Sequence, residues 1–157
     1  MSLSNPNPLY LIDAIGPFFR GYERVRINWS KIPWRRFRKL SPEDRAELFG
    51  QVEEDMERFT RRAAETGFNA VSLDDVPHLA LHEHYEGETN DLIHDYREAF
   101  RAIFEICNRA GMEVFLTMDV MSWAPGLREK IGSGERATNA FIADLLERFF
   151  EDFPEVA

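Results

Sequence analysis

The sequence predicts an α/β fold built from parallel strand–helix units, and three observations predict it. A short apolar run follows a glycine twice, at FNAVSL (68–73) and MEVFLTM (112–118); each reads as a strand buried on both faces. The two passages match each other. AAETGFNAVSLDDV and CNRAGMEVFLTMDV align Gly67 with Gly111, Asp75 with Asp119 and Val76 with Val120, a period of 44 residues. Amphipathic helical stretches lie between and after the runs. Strands repeated at that spacing, with a helix between, are parallel and joined by right-handed crossovers.

The elements follow in order. RVRINWS (24–30) alternates Val25, Ile27 and Trp29 with Arg26 and Asn28 and is expected to be the first strand. SPEDRAELFGQVEEDMERFTRRAAETG (41–67) is a helix. Ser41 caps it, Pro42 sits where its missing N–H costs nothing, and Glu43 and Asp44 suit its positive end. Leu48, Val52, Met56, Phe59 and Ala63 form its apolar stripe, and Gly67 ends it in the left-handed conformation. After the strand at 68–73 a polar loop runs to about residue 90. The next helix, about 91–110, places Ile93, Tyr96, Phe100, Ile103, Phe104 and Cys107 on one side and stops at Gly111. Beyond the strand at 112–118, a loop holding Pro125, Gly126, Gly132 and Gly134 leads to a last helix, about 137–152. That helix buries Phe141, Ile142, Leu145, Leu146 and Phe149.

Three β/α units in a single domain, 1–157, are therefore expected. Three are too few to close an eight-stranded barrel. The alternatives are a partial barrel completed by further chain, an open sheet, or a half-barrel that pairs with another copy of itself.

Composition narrows the class. The chain has 157 residues with a net charge of −9, 44% hydrophobic and 30% charged residues, and thirteen Phe. That describes a soluble globular domain. Its charge opposes duplex nucleic acid and anionic membrane surfaces, and the local basic run WRRFRK (34–39) is read as a solvated approach to the helix at 41. No apolar run reaches the roughly 20 residues of a membrane span. Cys107 is the only cysteine and lies in an apolar stripe, so no internal disulfide exists and the residue is read as core. MSLSNPNPLY carries no basic region followed by an apolar one, and a cytoplasmic protein is expected.

Parallel α/β folds bind ligands beyond the carboxyl ends of their strands. The polar residues expected there are Asn28 and Trp29 after the first strand, Asp74, Asp75 and His78 after the second, and Asp119 and Trp123 after the third. Carboxylates beside indoles suit a sugar, whose hydroxyls bond to Asp, Asn and His while its apolar face packs on Trp. The bland readings stay open. Asp75 and Asp119 also suit turns and caps, Trp29 and Trp123 suit the core, and Asn28 suits a bend.

The stretch VSLDDVPHLALHEHYEG (71–87) holds three of the four histidines. Asp75, His78, His82, Glu83 and His84 could supply ligands to zinc or iron, which would make the chain a metal-dependent barrel lyase or hydrolase. Neither an HExxH nor a two-His-one-carboxylate spacing is present, and no metal or other cofactor is expected. His82 and His84 are read instead as part of a solvated loop, and His94 as part of the first turn of the next helix. No glycine-rich phosphate loop and no GxSxG nucleophile elbow occurs.

TGFNAVSLDDV, RAGMEVFLTMDV and the ending FFEDFPEVA resemble TIM-barrel glycoside hydrolases, particularly the α-glucuronidase-like group. The likeness covers roughly residues 45–157. Its strand pattern is carried by Gly67, Asn69 and Val71, then Gly111, Val114 and Leu116, and its turn toward a fourth strand by Phe153, Pro154, Val156 and Ala157. The resemblance implies the amino-terminal portion of a barrel that cleaves glycosidic bonds with two carboxylic acids. Because that pair belongs to strand four or later, none of these residues takes its role. Asp75 and Asp119 match positions that contact sugar.

Overall fold

A computed structural model describes residues 8–14, 16–18, 37–73, 79–117 and 126–156. The elements in chain order are β1 (Leu11–Asp13), α1 (Pro42–Glu65), β2 (Ala70–Leu73), α2 (Gly87–Arg109), β3 (Glu113–Leu116), a short α3 (Leu127–Ile131) and α4 (Glu135–Asp152), with 3-10 turns at Gly16–Phe18 and Pro154–Val156. The strands form one sheet in the order β1-β2-β3, and both pairings are parallel. The described residues thus form an α/β arrangement with a three-stranded parallel sheet. No helix among the described residues is long and apolar enough to cross a membrane.

The local signals work as physics requires. Ser41 Oγ accepts the Asp44 backbone N–H at 3.1 Å, capping α1. Gly67 and Gly111 adopt φ of 96° and 70°, the left-handed turn from each long helix into the next strand. Asn69 accepts the Tyr10 backbone N–H at 2.7 Å through Oδ1 and donates from Nδ2 to Pro8 O at 3.0 Å, fixing the entry of β1 beside β2.

The first strand is the principal correction. Among the described residues β2 has β1 on one side and β3 on the other, so the strand that opens the described sheet is Leu11–Asp13, a strand the sequence reading did not anticipate. Residues 24–30 themselves lie outside the described set. Pattern explains the miss: LYLIDAIG is a short continuous apolar run with no alternation, whereas RVRINWS alternates. Two smaller differences follow. α2 begins at Gly87 rather than near 91, which moves His94 into the second turn, and the glycine-bounded loop after β3 contains the five-residue α3.

Side chains alternate across the strands, and register shows what each face meets. Ile12, Val71 and Val114 lie side by side, as do Leu73 and Leu116, and this face packs on the core built with α1 and α2. Val52, Met56 and Ala63 of α1 and Tyr96, Phe100, Ile103, Phe104 and Cys107 of α2 join it. On α1 the buried stripe is Phe49, Val52, Met56, Thr60 and Ala63, with Leu48 and Phe59 half-buried at its margin. An aromatic ladder runs along the seam, with ring centroids 4.6 Å apart for Phe37 and Tyr96, 5.8 Å for Tyr96 and Phe100, and 5.9 Å for Phe100 and Phe104. Cys107 is buried there as expected, and burial pushes its thiol up to about 12.

The other face is different. It carries Leu11, Ala70 and Glu113 in one row and Asp13, Ser72 and Phe115 in the next. Leu11 is 46% and Phe115 39% exposed, and Ala70, although buried, is no part of the core formed with the helices. Among the described residues both long crossover helices pack on one side of the sheet.

Candidate functional site

Because the strands are parallel, their carboxyl ends meet at one edge of the sheet. Ala14 N–H donates to Ser72 O at 3.1 Å and Thr117 N–H to Leu73 O at 2.8 Å, so pairing continues one residue past β1 and β3. From this edge the chain leaves β2 into residues 74–78 and β3 into residues 118–125. Every residue selected from the sequence falls in those segments or in 19–36: Asn28 and Trp29, Asp74, Asp75 and His78, Asp119 and Trp123 all lie outside the described residues. What the structure places is their anchorage, with Leu73 and Leu116 adjacent in register.

Two polar residues at this edge escaped the sequence reading. Asp13, exposed, and Ser72, buried, sit side by side on the face turned from α1 and α2. The signal for Asp13 was present, since LYLID ends an apolar run in an acid as VSLDD does.

The histidine stretch contradicts expectation. His82 is only 5% exposed rather than solvated. The His84 backbone N–H donates to its Nδ1 at 2.9 Å, so that nitrogen carries a lone pair; Nε2 therefore holds the proton and donates to Asp144 Oδ2 of α4 at 2.8 Å. Phe141 of α4 packs edge-on against the imidazole, centroids 4.8 Å apart. Arg148 draws the carboxylates together, with Nε 2.9 Å from Asp144 and an Nη 3.0 Å from Glu83. Asn90, in the first turn of α2, donates to His82 O at 3.0 Å and accepts the His82 N–H at 3.3 Å, and Lys130 of α3 donates to His84 O at 2.9 Å. Residues 79–86 are thus docked against α2, α3 and α4. The sequence alone could not pair His82 with Asp144, 62 residues away.

Electrostatics follow from this packing. Burial is the largest influence on His82 and lowers its pKa; Glu83 and Asp144 act the other way, and Arg148 and His84 add to the lowering. Burial alone would raise Asp144, but its bonds to Arg148 and His82 hold the carboxyl below its usual range. Tyr85, 4% exposed, is pushed up to about 12 by burial, and its hydroxyl has no hydrogen-bond partner among the described residues.

With both ring nitrogens engaged, His82 has no lone pair to offer a metal or a substrate proton. That removes it from the set Asp75, His78, His82 and His84 weighed as metal ligands; Asp75 and His78 lie outside the described residues. Among the described residues no group of three or more His, Cys, Asp or Glu is arranged to hold a metal ion. The Asp–His pair is a structural tie.

No protein-family model matches this chain, and no curated protein or solved structure matches it either.

Proposed function

We propose that this chain forms part of a (β/α)-barrel of glycoside-hydrolase type and presents a carbohydrate-facing rim at the carboxyl ends of its strands. One observation carries the reading: three parallel strands in chain order, with both long crossover helices on the same face. A doubly wound sheet reverses its strand order and covers both faces, whereas a barrel winds one way and keeps its helices outside. The register adds support. Val71 pairs with Val114, 43 residues on, although the sequence repeat has a period of 44. A stagger of one residue per strand is what eight strands with a shear of 8 require.

In this reading Asp75 and Asp119 hold sugar hydroxyls, His78 bonds a hydroxyl or tunes a neighbouring carboxylate, and Trp29 and Trp123 stack on the pyranose face, with Asn28, Asp74 and the newly placed Asp13 beside them. No residue of this chain is assigned as general acid or nucleophile. Titration calorimetry with uronic and neutral oligosaccharides tests the rim. Saturable binding weakened at least about tenfold by Asp75→Ala or Trp123→Ala is the expected result, tenfold being about 1.4 kcal/mol. Binding unchanged in both variants discards the assignment.

A second reading, association with another copy, is favoured by the sheet edges. Leu9 and Tyr10 before β1, Leu11 within it, Phe115 within β3 and Phe150 of α4 are exposed large apolar residues. Light scattering decides: a monodisperse, cooperatively unfolding monomer removes that reading.

A further inference from the structure

We infer that His82 is a proton-sensitive clasp: taking up one proton releases residues 79–86 from α4. The geometry makes neutrality a condition of the docked loop. Nδ1 must keep its lone pair to accept the His84 N–H at 2.9 Å, and a second proton on the ring destroys that acceptor and the turn it closes. The ring sits 5% exposed, with Phe141 against its face, so an imidazolium there is poorly solvated.

Every charged group facing the ring bears on the balance. From its own loop come Glu83, with Oε2 3.6 Å from Nδ1, and the half-buried His84, whose ring centroid is 4.5 Å away. Tyr85, neutral throughout the relevant range, lies on the same side. From α4 come Asp144, bonded to Nε2, and Arg148, which ties up both carboxylates. From α3, Lys130 reaches only the His84 carbonyl, and α2 contributes the neutral Asn90. The two carboxylates that would welcome an imidazolium are thus already shared with a guanidinium. Burial and Arg148 together outweigh them and lower the affinity of the ring for a proton.

The clasp has a place to act. Residues 79–86 continue directly from 74–78, the segment that leaves β2 at the strand-end edge. Acidification would free residues 79–86 from α4. The inference stands on the His82 cluster and not on the carbohydrate reading, so each can fail alone.

The test is hydrogen exchange of the His84 amide in the whole chain from pH 7.5 to 5, corrected for the intrinsic pH dependence of exchange. Protection is expected to be flat above about pH 6.5 and to fall by about tenfold per pH unit below it, the slope of one proton bound on opening. His82→Gln, which cannot titrate, is expected to abolish the slope, while His84→Gln keeps the acidic fall in protection at that amide. Should His82→Gln fail to fold, Arg148→Gln serves in its place. Removing the guanidinium raises the affinity of the docked ring for a proton, so the pH window over which protection falls narrows. Unchanged protection from pH 7.5 to 5, a slope that survives His82→Gln, or a window that Arg148→Gln leaves unaltered would overturn the clasp.

Discussion

The seam between α1, α2 and the sheet and the dock between residues 79–86 and α4 hold the molecule by different chemistry. The seam is apolar, built from Phe37, Phe49, Tyr96, Phe100 and Phe104 with Val52, Met56, Val71 and Leu73. The dock has Phe141 and Tyr85 as its apolar contribution, but its specificity lies in His82, Asp144, Arg148, Glu83 and Lys130. Hydrophobic burial is non-directional and indifferent to pH, whereas a network of charged and hydrogen-bonded groups depends on direction and on pH. The seam therefore contributes most to stability, and the dock sets the conditions under which residues 79–86 stay in place.

Substitutions that attack the two regions separately should give different signatures. Phe100→Ala empties the middle of the aromatic ladder and should cost about 3–5 kcal/mol, with the same loss at pH 5.5 and pH 7.5 in urea denaturation. His82→Leu keeps bulk but removes both hydrogen bonds, and should cost about 1–3 kcal/mol at pH 7.5 because the His84 N–H and Asp144 lose their partner. It should also flatten the pH dependence. The folded state lowers the proton affinity of His82, so the unfolded chain binds the extra proton below about the ordinary value of 6.5. The contribution of His82 is then fully present above 6.5 and lost as pH falls below it. A His82→Leu protein whose stability still fell as steeply in that window would erase the contrast between the regions.

Smaller effects sharpen it. Asn69→Ala removes the side chain that grips Tyr10 and Pro8 and should cost about 1 kcal/mol, with increased exchange of the Tyr10 amide. Arg38→Gln breaks an exposed pair with Glu88 at 3.1 Å and should change stability by about 0.2–1 kcal/mol, vanishing in high salt.

What could be read from sequence divides along the same line. The seam was legible because it is periodic. Ile93, Tyr96, Phe100, Ile103, Phe104 and Cys107 recur at helical spacing, and all six are buried. Gly67 and Gly111 marked the helix-to-strand turns because few other residues tolerate positive φ. On α1 Val52, Met56 and Ala63 of the expected stripe are buried, whereas Phe49 and Thr60 are buried where Leu48 and Phe59 were expected and the latter two are half-buried, because neighbours such as Phe37 and Tyr96 decide which flank is covered.

β1 went unrecognised because three residues, of which only Ile12 is even half-buried, give neither alternation nor length. The dock was illegible for a deeper reason: pairing His82 with Asp144 is long-range and leaves no local pattern. Histidines two apart in a polar stretch look solvated until a helix 60 residues later is packed against them. Of the candidate rim, the sequence made legible that β2 and β3 are parallel neighbours, while Asp13, although LYLID ends in an acid as VSLDD does, gained a place at the strand ends only with β1.

A barrel-like mouth at the strand ends requires one-sided winding of the sheet. Cysteine accessibility across one strand measures it directly. In a Cys107→Ala background of this 157-residue chain, cysteine is placed at Val114, on the helix-covered face, or at Phe115, on the other. Thiol labelling under native conditions should be fast at 115 and slow at 114. Equal protection at both positions, or faster labelling at 114, would mean that helices do not cover a single face, and the barrel reading would go with it.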